Sequence, residues 1–264
     1  MSVHEPGRTR NATRAVTRGV AFYDLDGTLV GLNLLHTALY LFANLGEWSG
    51  RAGYLLNLAA RVPSLYLAER RDRYLLNIVL FELFKGVSRD RLVELGEEYC
   101  ECVLMGNLYP QARDIIEANR TAGLEPVLVT GSPDFVAAPL SRHLGIAEYA
   151  ANRLAFVRGR ATGRLRTPIM AGDEKARWCS DYATERQLDL RRCWGYADSY
   201  YDLPFLAALG HPVAVNPDRR LRVTAASRQW PIVQFNPRSP RTALTRALRA
   251  QAEAWIWRWL DGAA

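Results

Sequence analysis

Asp24 and Asp26 flank Leu25 directly after the apolar run Val20-Ala21-Phe22-Tyr23. Side chains two apart on an extended segment point the same way, so the pair would share one face. Adjacent carboxylates suit a nucleophile and an acid/base, or joint coordination of a hard cation such as Mg2+. Gly27 permits a sharp turn and Thr28 adds a hydroxyl. Alone, the pair reads equally well as a capped loop. Thr130-Gly131-Ser132 follows a second apolar run, Pro126-Val127-Leu128-Val129. The Thr130 hydroxyl and the N–H groups of Gly131 and Ser132, assisted by a helix opening after Pro133, suit phosphate oxygens. The bland reading of this triplet is a helix cap. Lys175 stands near a helix start, and only it and Lys85 are lysines beside 32 arginines. An ammonium there would stabilise negative charge on a phosphate and on an attacking carboxylate. Asp198 closes the run Trp194–Ala197, and Asp202 follows four residues later. The first can complete a Mg2+ site, and the second can orient ligands or a neighbouring lysine.

Elements that would position these residues follow from hydrophobic periodicity. Strands are expected at 20–23, 126–129, 149–157, 162–166, 193–197, 212–215 and 231–235, the third and fourth as a hairpin around Gly159 to Gly163. Helices are expected at about 110–122, 173–187 and 202–209, the first bounded by Pro110 and Gly123. Strands alternating with helices predict an α/β fold with a doubly wound parallel sheet, whose chemistry sits beyond the carboxyl ends of the strands. Three polar loops occupy that place, after residues 23, 129 and 197. Between the first two loops the pattern is helical: Leu34, Leu35, Ala38, Leu39, Phe42 and Leu45 recur at three and four. The expected organisation is a flexible tail at 1–19, a core from 20–31 and 109–239, an inserted all-helical cap at 32–108, and a C-terminal amphipathic helix at 240–264.

Asp24-Leu25-Asp26-Gly27-Thr28, Thr130-Gly131-Ser132, Lys175 and Asp198-Ser199-Tyr200-Tyr201-Asp202-Leu203-Pro204 occur in one order, each at a strand end or helix start. In these four motifs the chain resembles the haloacid dehalogenase superfamily. With its helical insertion it is similar to subfamily IB, the phosphoserine phosphatase-like members with a C1 cap. The resemblance implies a phosphomonoesterase in which Asp24 attacks phosphorus and forms an aspartyl-phosphate. Asp26 would protonate the leaving alcohol and then activate water. Thr130, Gly131 and Lys175 would hold the phosphoryl group. Mg2+ would be bound by Asp24, the backbone carbonyl of Asp26 and Asp198, with Asp202 in support. An acid/base Asp at position 26 sets the chain apart from the dehalogenases, which lack it, and from P-type pumps, which carry Thr there.

Departures bear on the substrate. Phosphoserine phosphatases carry a Glu nine residues after the nucleophile, where this chain has Asn33, and Ala197, Ser199 and Tyr201 depart from the usual last motif. Phosphoserine is therefore not the expected substrate. A small phosphorylated metabolite or a phospholipid head group is expected instead. Asn33, His36, Arg70, Arg71 and Arg73 are the specificity candidates, though a helix histidine and a solvated arginine face are their ordinary readings. The alternatives kept are a phosphotransferase and a catalytically idle binding or regulatory protein on the same scaffold.

Composition narrows the rest. At 49% hydrophobic and 23% charged, 264 residues suffice for a real core. Residues 31–108 carry 8 basic and 9 acidic side chains, and residues 109–264 carry 22 and 15, so the excess of +7 lies in the second part. The arginines are scattered and no nucleic-acid motif appears, so no nucleic acid is expected. Cys100, Cys102, Cys179 and Cys193 lack zinc spacing and read as reduced, buried cysteines of a cytoplasmic protein. The stretch 27–46 has no charged residue, yet it begins inside the first polar loop, which rules out a membrane span. Residues 240–260 place Trp255, Trp257 and Trp259 among Arg246, Arg249 and Arg258. That pattern suits peripheral contact with an anionic membrane face or a partner, or packing back on the core.

Overall fold

This computed structural model describes residues 19–45 and 73–236. The expected tail, the C-terminal helix, and Arg70 and Arg71 lie outside the described residues.

A seven-stranded sheet has at its centre β1 (Gly19–Tyr23), every residue of which is buried. On one side lie β2 (Leu124–Pro133), β3 (Glu148–Val157) and β4 (Arg160–Arg166). On the other lie β5 (Trp194–Ala197), β6 (His211–Val215) and β7 (Ile232–Val233). The order is β4-β3-β2-β1-β5-β6-β7, and only β4 runs antiparallel to its neighbour. This is the expected mixed α/β fold. The order reverses at β1, so the crevice beyond β1, β2 and β5 is the place where such a sheet builds a site.

The sheet's two faces come from period-two alternation. Ala21 and Tyr23 of β1 face one hydrophobic cluster, and Val20 and Phe22 face the other. The first cluster runs without a break from Tyr23, Leu128 and Tyr196 into Leu41, Phe42, Leu80, Phe84 and Leu95 of the helical insertion. The described part of the insertion comprises α1 (Leu34–Asn44), α2 (Arg73–Glu82) and α3 (Arg89–Tyr99), which continues through a π-helical turn at Cys100–Leu104 to Asn107. Its two ends meet: Val30 bridges Leu108, and Gly31 N–H donates to the Asn107 carbonyl at 3.1 Å. Where α3 crosses the sheet's helical layer, a Cβ on Gly96 would run into the Phe135 carbonyl, so only glycine permits that approach.

The remaining helices are α4 (Pro110–Thr121), α5 (Asp134–His143), α6 (Asp173–Glu185), α7 (Leu203–Ala207) and α8 (Arg219–Ser227). Pro110 opens α4, where its missing N–H has no helical partner to lose, and Gly123 follows it at φ +82°. Two expectations need correction. Thr130-Gly131-Ser132 does not end a strand but lies within β2, whose pairing with β3 shifts between Val129 and Pro133. Cys102 is exposed, whereas Cys100, Cys179 and Cys193 are buried. The π-helical turn rotates Glu101 and Cys102 toward solvent while Cys100, Val103 and Leu104 face inward. Among the described residues no helix is long and apolar enough to cross a membrane.

Candidate active site

The loop after β1 is wound tightly on itself. The N–H groups of Thr28, Leu29 and Val30 all donate to the Leu25 carbonyl, and Gly27 N–H donates to Val30 and Leu32. Gly27 adopts φ +80°, and a Cβ there would collide with the Asp198 carboxylate. A side chain at 27 would thus both strain the backbone and displace the Asp198 carboxylate. Beneath the loop, Asn119 Nδ2 donates to the hydroxyls of Tyr23 (2.6 Å) and Tyr196 (2.9 Å). The two tyrosine rings stack at 4.8 Å. Burial pushes both phenols above their ordinary pKa, so they stay neutral and hold β1 against β5 just below the carboxylates.

Lys175, on the first turn of α6, is buried at 3% exposure. Its ammonium lies 2.7 Å from Asp24 Oδ1 and 2.9 Å from Asp202 Oδ1. Burial alone would depress its pKa, but the charges and hydrogen bonds of Asp202 and Asp24 outweigh that and raise it. Thr28 Oγ1 approaches the other Asp24 oxygen at 3.4 Å. Ser132 Oγ donates to Asp26 Oδ2 at 2.6 Å, a length typical of a hydroxyl bonded to a carboxylate. Asp24, Asp198 and Asp202 place one carboxylate oxygen each within 4.8 Å of one another.

These side chains converge on one cavity. Asp24, Asp26, Gly131, Lys175 and Asp202 line its core side, and Asn33, Leu34, Leu35, Leu76 and Asn77 line it from the insertion. Thr130 is wholly buried and its Oγ1 accepts from Ser132 N–H at 3.0 Å, so at this point the wall is Gly131. Asp202 contacts Lys175 directly and joins the acidic cluster. Asn33 reaches the cavity, but its Oδ1 caps α1 by accepting from His36 N–H at 3.2 Å. His36 Nδ1 sits 2.6 Å from that same oxygen. His36 is therefore part of a capping box rather than the described cavity wall. Arg73 begins α2, and its side chain lies outside the described residues.

Three residues hold the site together through contacts that the sequence did not signal. Ser132 fixes Asp26 as described. Asn152 of β3 donates to the Gly131 carbonyl (2.7 Å) and accepts from Met170 N–H (2.8 Å), tying β2 to the segment leading into Lys175. Asp218 accepts from Tyr200 N–H at 2.7 Å and from Leu221 N–H at 2.8 Å, while its own N–H donates to the Asp198 carbonyl. It caps α8 and pins the loop after β5 at once. An Asp after Asn216-Pro217 signalled the helix cap, but nothing local signalled the loop contact.

The donor chemistry fits a hard divalent cation. Asp24, Asp198 and Asp202 cluster three carboxylates, two of them on the Lys175 ammonium, with Asp26 on the same cavity wall, and Asp202 Oδ2 is buried with no hydrogen-bond partner among the described residues. All donors are oxygens, as Mg2+ prefers.

A doubly wound sheet with paired aspartates beyond its central strand, a buried lysine on them and a helical insertion between the first two motifs defines a hydrolase of phosphoryl-transfer type. The family model for haloacid dehalogenase-like hydrolases matches residues 21–207, and the chain belongs to that family. It is 34% identical over 224 residues to the phosphoserine phosphatase SerB1 of Mycobacterium tuberculosis, covering 81% of this chain and 70% of that one. A Bordetella pertussis protein of unknown function superposes with TM-score 0.72 at 28% identity, covering 83% of this chain and 99% of that one. A phosphoserine phosphatase structure containing a phospho-aspartyl intermediate analogue superposes with TM-score 0.60 at 15% identity, covering 86% and 97%, and so shares the fold. The chain is an enzyme of the phosphatase kind within the family.

Proposed function

We propose that this enzyme is a Mg2+-dependent phosphomonoesterase that works through an aspartyl-phosphate on Asp24. The observation that supports the reading is the buried Lys175 ammonium bridging Asp24 and Asp202, with Asp198 clustered beside them and Asp26 on the same cavity wall. Asp24 Oδ1 is held by the ammonium, which fixes the carboxylate and keeps it ionised for attack on phosphorus. As the phosphorus–oxygen bond to the substrate alcohol breaks, Asp26 donates its proton to the leaving oxygen. Water then attacks the phosphoryl group on Asp24, Asp26 takes the water's proton, and inorganic phosphate departs. Lys175 and the Gly131 N–H hold the transferring phosphoryl oxygens, and Thr130, whose Oγ1 accepts from Ser132 N–H, fixes the backbone behind them. Asp24, the Asp26 carbonyl and Asp198 would hold Mg2+, with Asp202 in support, and the bound ion supplies charge neutralisation on the phosphoryl oxygens.

The insertion offers the leaving group two amides and three leucines, and no charged side chain among its described lining residues. This supports a neutral or apolar leaving group, a small metabolite ester or a phospholipid head group, over an amino acid. The test combines two variants with p-nitrophenyl phosphate. Asp24→Asn should be folded and inactive, and Asp26→Asn should accumulate covalent phosphate on Asp24, seen by intact mass after acid quenching. Phosphatase activity in Asp24→Asn equal to that of the wild type overturns the mechanism.

A further inference from the structure

Away from the carboxylates, α3, α5, β3 and β4 enclose a separate groove of about 370 Å3 that shares no lining residue with the catalytic cavity. Its size is that of a small-molecule site. The floor is apolar, with Leu92, Phe135 and Leu154 all buried. Four arginines and two acids make the rim: Arg89, Arg142, Arg153 and Arg166 against Glu97 and Asp134. Arg142 is engaged by Glu97. Arg153 and Arg166 stand directly opposite each other on antiparallel strands, and neither forms an ion pair among the described residues. Like charges in that register repel. The Arg89 guanidinium lies 4.5 Å over the Phe156 ring, which leaves its edge available for an oxyanion. The Asp134 carboxylate feels both Arg153 and Arg89, and burial still raises its pKa against their pull.

The segments outside the described residues are net positive: residues 1–18 hold four arginines and one acidic residue, residues 46–72 hold four and three, and residues 237–264 hold five and two.

We propose that this groove binds a small planar organic dianion, its oxyanion heads held by Arg153, Arg166 and Arg89 and its flat body lying on the apolar floor. Guanidinium forks pair with oxyanions through two parallel hydrogen bonds, and two facing arginines form a clamp that relieves their own repulsion. This does not depend on the phosphatase reading.

Naphthalene-1,5-disulfonate, a planar dianion with no phosphoryl group, is the probe, titrated into the full chain by calorimetry. Saturable one-to-one binding is expected, and Asp24→Asn should leave it unchanged. Arg153→Gln/Arg166→Gln should weaken it by about tenfold or more while turnover of p-nitrophenyl phosphate stays within about twofold. Asp134→Asn should tighten it, since it removes the carboxylate that competes for the arginines. Unsaturable binding, equal affinity in the arginine variant, or loss in Asp24→Asn overturns the proposal. Tighter binding of an oligoglutamate peptide than of the disulfonate also overturns it, and assigns the groove to an acidic protein partner.

Discussion

Replacing Lys175 with Met tests whether one ammonium holds the catalytic carboxylates together. Methionine keeps most of the length and the contact with Phe205, whose ring centre is 5.9 Å from Nζ, and removes only the charge and its hydrogen bonds. Lys175, Asp24 and Asp202 side chains are exposed by 4%, 2% and 4%, so solvent cannot replace the lost partner. Removing one member of a buried ion pair costs about 3–5 kcal/mol. For a chain of this size that is a fall in Tm on the order of 10 °C. The pH dependence has a definite sign. The ammonium's pKa is raised on folding, so its stabilisation is complete below the unfolded value and is lost only as pH rises through the folded one. The difference between wild type and variant should therefore stay flat from about pH 6 to 9, below the unfolded lysine value. Urea and thermal unfolding in EDTA measure it. Asp202→Asn in the Lys175→Met background should recover part of the loss, because one of the two uncompensated carboxylates is gone. A single variant within about 1 kcal/mol of wild type, or a second substitution that simply adds its own cost, refutes the reasoning.

Ser132→Ala removes the 2.6 Å bond to Asp26, and kcat on p-nitrophenyl phosphate should fall by about tenfold or more with KM little changed, as for loss of a hydrogen bond to a charged group. An unchanged kcat shows that Asp26 is positioned without it. Native protein should react with Ellman's reagent at one thiol, Cys102, and at all four after unfolding, since burial keeps Cys100, Cys179 and Cys193 protonated and out of reach. Two or more fast native thiols contradict the packing around the π-helical turn. Phosphoserine should not be the best ester; a kcat/KM for it tenfold above all others, roughly 1.4 kcal/mol of transition-state preference, refutes the neutral-cavity reading.

What was legible in the sequence was whatever a single segment determines. Asp24 and Asp26 follow an apolar strand, Lys175 follows a helix start, and Asp198 ends another strand, so fold class and motif placement together put them at one sheet edge. Contacts between distant segments left no such trace. Ser132 and Asp26 are 106 residues apart, and whether that hydroxyl turns to the carboxylate depends on how β2 continues past Val129 beside β3. The same holds for Asn152, which reads as an ordinary strand residue and yet joins Gly131 to Met170. Cys102 was misplaced because the four cysteines were read together from their spacing, which carries no signal of the π-helical turn that turns this one toward solvent.

Asn33 shows how a position can look like a specificity determinant for a reason that is architectural. It is the N-cap of α1, with extended backbone (φ −123°, ψ 170°), and its carboxamide oxygen accepts from the His36 N–H, which also donates to the Asn33 carbonyl. Asn is among the best residues for that task, and replacing a good cap costs about 1 kcal/mol. A Glu at 33 would reach past the cap, so the capping requirement favours a short polar side chain here. The consequence for chemistry follows from the same geometry. With Oδ1 committed to the helix, what position 33 brings to the cavity is neutral, and Asn77, Leu34, Leu35 and Leu76 add no charge beside it. An ammonium on the leaving group would lose its hydration against these groups without gaining a counter-charge, a penalty that a hydroxyl or an alkyl chain does not incur.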